Sequence, residues 1–145
     1  SLHLFDSFEG LSDFNPKDKE GSSIKDDNSR ENFKKHFRAD NKTIEDLEKL
    51  ENVFVYKGWV PDKFQAIKDK LFIFVHIDVD LYEPTLESLR FFYPRLKTGG
   101  VIICDDYNSS EFPGAKRAWD DYFKNDLKDF FLTFPFGGCA LIKKD

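Results

Sequence analysis

The sequence has no long apolar run. Its longest clean stretch, residues 71–75, is far below the roughly 18 residues that a membrane-spanning helix needs, and the N-terminus carries no cleavable signal pattern. These absences predict a soluble, cytoplasmic chain with no membrane partner. Basic charge is also short. Twenty-two Lys and Arg against 27 Asp and Glu leave a net charge of -5, and no basic stripe is interleaved with aromatics, so nucleic acid is not an expected partner. Cysteine is scarce: Cys104 and Cys139 lie in separate apolar, strand-like runs, and neither has a C-x-x-C partner. Zinc is therefore not indicated, and buried free thiols are expected in place of a disulfide. With 2 Trp and 5 Tyr against 17 Phe, the core must rest on a residue with much area and no polar handle. No internal repeat appears.

What is present is a chain of 145 residues and 17.0 kDa with 40% hydrophobic residues, enough for one compact core and a single domain. The pattern alternates strands and helices. Strands are expected at residues 2–5, 53–56, 71–77 and 101–104, and helices at 29–37, 43–50 (with Thr43 as cap), 61–67, 83–93 and 113–123. Residues 71–77 are apolar except for His76, the signature of a parallel strand buried on both faces. Lys97-Thr-Gly-Gly100 reads as a turn into the next strand. Residues 132–134 and 140–142, split by Pro135 and Gly137-Gly138, read as a terminal antiparallel hairpin. Residues 15–28 are almost wholly polar and read as a solvated loop that carries little core. The fold class is α/β, mostly parallel.

In such sheets ligands bind beyond the carboxyl ends of the strands. Three strands here end in carboxylates: Asp6, the pair Asp78 and Asp80, and the pair Asp105 and Asp106. If the strands ending near Asp78 and Asp105 are adjacent and parallel, up to four carboxylates converge on one edge. Their repulsion makes a cation the natural companion, and oxygen-only ligands favour Mg²⁺ or a similar hard ion. A single aspartate after a strand can equally turn the chain or cap the next helix, so the weight falls on the set. His76 shares the face of Asp78 as ligand or base, or serves as a hydrogen-bonded structural histidine. The aromatic stretch 130–136 reads as strand core, with pocket lining as its alternative. Asp78-Val-Asp80 also has the D-x-D form of a metal-dependent nucleotide-sugar glycosyltransferase, which would leave Asp105-Asp106 without a role.

The stretch His76-Ile-Asp-Val-Asp-Leu-Tyr-Glu-Pro-Thr85, then Gly99-Gly-Val-Ile-Ile-Cys-Asp-Asp-Tyr107 and Phe112-Pro-Gly-Ala-Lys-Arg-Ala118, resembles the macrocin O-methyltransferase family. Phe5-Asp-Ser-Phe-Glu-Gly-Leu11 and Lys57-Gly-Trp-Val-Pro-Asp62 are similar to that family's segments after its second and third strands. The resemblance implies a Rossmann-like class I methyltransferase that uses S-adenosylmethionine and Mg²⁺ to methylate a sugar hydroxyl of a glycosylated small molecule. It further implies that Asp6, with Ser7 beside it, holds the ribose of the cofactor, and that Asp78, Asp105 and Asp106 hold the metal. The related catechol-type enzymes carry a lysine base three residues after the first metal aspartate. Here that position is Leu81, so Asp78 or Asp80 would take the proton.

The family's first strand and its acidic Gly-x-Gly turn have no counterpart in the chain. In the family strand order, 3-2-1-4-5-7-6, that strand lies at the sheet centre. The resemblance therefore implies one partial methyltransferase domain over residues 1–145, weak or inactive by itself. The expected consequence is that the strand at residues 71–77 either self-associates, giving a homo-oligomer, or closes directly against the strand at residues 2–5. A non-catalytic, degenerate methyltransferase module is the remaining reading.

Overall fold

The computed structural model describes residues 1–124 and 126–144. The chain divides into two compact units: Ser1–Asp13 with Asp26–Lys68, and Phe14–Lys25 with Asp69–Asp145.

In the first unit, β1 (Leu2–Asp6) and β2 (Val53–Lys57) form a parallel pair in which Leu2 faces Val53 and Asp6 faces Lys57. Phe5 stacks on Tyr56 at 4.6 Å and takes the edge of Phe64 at 5.1 Å, so aromatic faces bind the pair together. Helix α2 (Asp27–His36) begins where the Asp26 carboxylate accepts the Ser29 N–H, and α3 (Asn41–Glu48) where Asp40 accepts that of Thr43. Asp40, not Thr43, is the cap, because the acceptor must stand three residues before the N–H it satisfies. Residues 61–67 form only a short 3-10 turn at Phe64–Ile67.

The second unit contains α1 (Pro16–Lys19), β3 (Phe72–Ile77), α4 (Tyr82–Phe92), β4 (Leu96–Cys104), α5 (Pro113–Phe123), β5 (Phe130–Thr133) and β6 (Cys139–Ile142). Its sheet order is β3-β4-β6-β5, with β3 parallel to β4 and both other pairings antiparallel. The family order without its first strand leaves 3-2 and 4-5-7-6, and these are the two sheets found. Within them β1 pairs with β2, and β3 with β4. The core gathers around Trp119, which is 2% exposed, with Tyr107, Phe123 and Phe131 against its ring. Leu86 and Ala118 join α4 to α5. Among the described residues no helix is long and apolar enough to cross a membrane.

Four further sequence expectations change. Strand β3 is not buried on both faces: Ile73 and Phe74 are 71% and 54% exposed, because β3 is an edge strand with one hydrogen-bonded neighbour among the described residues. Gly99-Gly100 is a bulge within β4, not a turn before it; Gly99 adopts φ +75, which a residue with a Cβ rarely does. In β5 only Phe131 packs inward, while Phe130 and Leu132 face outward on the sheet's other edge. The polar stretch 15–28 carries packing that its composition hides. It starts with a capping box between Asn15 and Asp18, and it buries Asp18, Ser22 and Ile24.

Candidate functional site

Parallel pairing sets Ile77 beside Cys104, and the Asp105 N–H continues the ladder to the Ile77 carbonyl at 3.1 Å. The residues that follow the two strands therefore emerge on one edge, as the sequence pattern requires. There Asp78, Asp80 and Asp106 each bring one carboxylate oxygen to within 4.8 Å of the others. Asp80 reaches this group because its backbone takes the left-handed conformation, φ +59, which bends the chain straight after the strand. Asparagine and aspartate tolerate that region better than most residues. The Asp80 backbone lies close enough to favour the charged form of Asp106.

The Asp106 carboxyl is strongly perturbed. Burial above all, then the negative charges of Asp78 and Asp105, push it up to about 6. Its Oδ2 is buried with no hydrogen-bond partner. A buried carboxylate oxygen without a donor, facing two more carboxylates, is unfavourable as an anion and favourable as a ligand for a hard cation. The oxygen-only donor set fits Mg²⁺.

The second member of the Asp105-Asp106 pair faces differently from the first, since consecutive side chains after a strand alternate. Asp105 is exposed and lies outside the three-carboxylate group, with its Oδ1 3.8 Å from His76 Nε2. His76 is thus a half-exposed neighbour of Asp105. Asp80, read from the sequence as a strand-end carboxylate and a candidate base, stands among the convergent carboxylates.

In the first unit, Asp6 ends β1 and is exposed; its Oδ1 accepts the Phe8 N–H at 2.6 Å, fixing a tight turn in which Phe8 has φ +59. Ser7 is buried. Its hydroxyl donates to the Gly10 carbonyl at 3.1 Å and accepts the Glu9 N–H at 3.0 Å, so its bonds shape the turn. Asp6 keeps exposed carboxylate surface, and Ser7 shapes the loop that follows it.

Cys104 and Cys139 face each other across β4 and β6 as buried free thiols. The hydrogen bond between them, followed by burial, raises the Cys139 thiol well above its ordinary range. The sequence reading also gives no role to Asp18, whose only local signal is the Asn15-Pro-Lys-Asp18 capping pattern.

The profile of the Macrocin-O-methyltransferase (TylF) family matches residues 1–129. Demethyldecarbamoylnovobiocin O-methyltransferase of Streptomyces niveus is 34% identical over 89 residues, which are 61% of this chain and 33% of that protein. A tetracenomycin-C 4'-O-methyltransferase of Streptomyces olivaceus, whose named substrate carries a dimethoxy-rhamnosyl group, is 38% identical over 50 residues, 34% of this chain and 19% of that one. These matches span about a third or less of either relative's length. The solved O-methyltransferase NovP superposes with a TM-score of 0.74 at 24% identity, over 100% of this chain and 60% of its own. The calicheamicin methyltransferase CalS11 gives a TM-score of 0.76 at 20% identity, over 99% and 60%. At these identities the superpositions establish a shared fold.

Proposed function

From the premise that the chain belongs to the macrocin O-methyltransferase family, we propose that it contributes the metal site and the ribose contact of an S-adenosylmethionine- and Mg²⁺-dependent O-methyltransferase acting on a sugar hydroxyl of a glycosylated small molecule. The observation that carries the metal part is the partnerless, buried Asp106 oxygen among convergent carboxylates. In this reading Asp78 and Asp106 hold the ion, Asp80 completes the carboxylate group, and Asp105 adds its charge at the rim. When bound, Mg²⁺ lowers the pKa of the sugar hydroxyl it contacts, and the cofactor supplies the methyl group.

The chain's own part is to orient and to accept a proton. Asp6 takes hydrogen bonds from a ribose diol, for which an ionised carboxylate at a strand end is suited. The carboxylates of Asp78 and Asp80 offer the acceptor for the hydroxyl proton, within the group that fixes the oxygen's position. The glycosyltransferase alternative loses its ground, since the family match extends well beyond the D-x-D. A homo-oligomer belongs to the same reading, supported by the exposed Ile73 and Phe74 of β3.

Calorimetric titration of the chain with Mg²⁺ and then with S-adenosylhomocysteine tests the proposal. Mg²⁺ should bind to the native chain and not to an Asp78→Ala, Asp106→Ala variant; equal binding by both would remove the metal assignment. A well-folded chain that takes neither ligand would favour a non-catalytic module.

A further inference from the structure

The turn that brings Asp80 to Asp106 is held from outside itself. Helix α4 begins at Tyr82, and its N-cap residue Leu81 supplies no side-chain cap. The first N–H groups of a helix need partners from elsewhere. The Tyr82 N–H finds one in Asp18 Oδ1 at 2.7 Å, 64 residues earlier in the chain. Asp18 is 1% exposed, and its Oδ2 accepts the Asn15 N–H at 2.9 Å, so each carboxylate oxygen serves one backbone donor.

The surrounding structure is shaped around this carboxylate. A Cβ on Gly114, at the start of α5, would lie 1.9 Å from Asp18 Oδ1 and 2.9 Å from the Tyr82 nitrogen. Only glycine leaves the space. The stretch bearing Asp18 is fastened on both sides of it: Lys17 Nζ donates to the Tyr82 hydroxyl at 2.8 Å, Arg117 to the Glu20 carbonyl at 2.8 Å, and Ser22 Oγ to the Glu111 carbonyl at 2.6 Å.

We infer that Asp18 is a positioning residue for the metal-binding carboxylates: through the Tyr82 N–H it holds the turn from Asp78 to Tyr82, so that Asp80 meets Asp106. This rests on the Mg²⁺ reading of the cluster. Asp80 acts there through its carboxylate, and it lies two residues from the clamped Tyr82. A turn released at Tyr82 loosens that convergence. Asp18 itself touches neither metal nor substrate.

The test uses the full chain with Asp18→Asn, Ser22→Ala and Asn15→Ala, followed by calorimetric Mg²⁺ titration and amide hydrogen exchange. Asparagine keeps the shape of aspartate but sets an NH₂ against one of the two backbone donors. Asp18→Asn should lower Mg²⁺ affinity about tenfold, as loss of a residue that orients a ligand does, and should speed exchange of the Tyr82 amide and of the Leu81 amide, which bonds to the Val79 carbonyl within the turn. Ser22→Ala loosens the same stretch away from Tyr82; it should cost stability and leave Mg²⁺ affinity unchanged. Wild-type affinity in Asp18→Asn, or an equal fall in Ser22→Ala, would reduce Asp18 to a structural role. Should Asp18→Asn not fold, Asn15→Ala, which removes one of the two acceptors of the Asp18 N–H and leaves the Asn15 carbonyl, must show a smaller fall, and none would overturn the inference. A wild-type chain that binds no Mg²⁺ refutes the metal reading by itself. The exchange data then decide alone: undiminished Leu81 protection in Asp18→Asn overturns the hold on the turn, and its selective loss sustains it.

Discussion

Replacing Asp106 by asparagine should make the metal-free protein more stable while ending its response to Mg²⁺. In the folded chain the Asp106 carboxyl is pushed up to about 6 from an ordinary 3.8, chiefly by burial and then by Asp78 and Asp105. Between these two values the folded state holds a proton that the unfolded state releases. Stability is therefore fully present below about pH 4, falls as pH rises toward about 6, and stays low above it. A shift of roughly two units corresponds to about 3 kcal/mol. The side-chain amide introduced by Asp106→Asn carries no charge and turns a donor toward neighbouring carboxylates, where the native chain has a partnerless oxygen. At pH 8 in a chelator, Asp106→Asn should therefore gain up to about 3 kcal/mol, or roughly 10 °C in melting temperature, and its stability should lose most of the slope between pH 4 and 6. Added Mg²⁺ should stabilise the native chain by mass action and leave the variant unmoved. Urea unfolding followed by tryptophan fluorescence measures both. A variant less stable than the native chain at pH 8 without metal, or stabilised equally by Mg²⁺, would refute the reasoning.

Gly114→Ala should destabilise by about 1–3 kcal/mol or more, since its Cβ would collide with the Asp18 carboxylate; a neutral effect in urea unfolding would mean that this packing is looser than described. Cys104 and Cys139 should stay unmodified by a thiol reagent for minutes in the native chain and react fully in urea, because both are buried and Cys139 is held protonated; one fast native thiol would contradict this. Sedimentation at micromolar concentration should show dimers or larger species, and Ile73→Glu should shift them toward monomer, Ile73 being the most exposed apolar residue of β3. A native chain that sediments as a strict monomer would dismiss the edge as an association surface.

The strand-end aspartates were legible because a parallel pair with matched ends must bring its following residues to one edge, and the apolar runs 72–77 and 101–104 announce such a pair. Which of them converge was not. The choice of Asp80 over Asp105 turns on a left-handed backbone at Asp80 and on the alternation of Asp105 and Asp106, and neither is written in residue type. The burial of β3 was overread because an apolar run reports what a strand prefers, whereas exposure depends on whether a neighbour is there. Asp18 was hidden most completely. A lone aspartate among lysines reads as solvated, and its place beside Tyr82 and Gly114 exists only when distant segments meet.

Because Phe14–Lys25 belongs with Asp69–Asp145, the second unit is written in two pieces, with most of the first between them. During synthesis the Asp18 stretch emerges long before its seat exists. Gly114 follows Asp18 by 96 residues, which at translation rates of about 5–20 residues per second is a wait of roughly 5–20 s. Over that interval a carboxylate destined for burial remains in water, and the segment is open to chaperones and proteases. A ribosome that paused within residues 69–114 would lengthen this window, and one that hurried there would shorten it, so the codon choice of that stretch bears on the yield of folded chain.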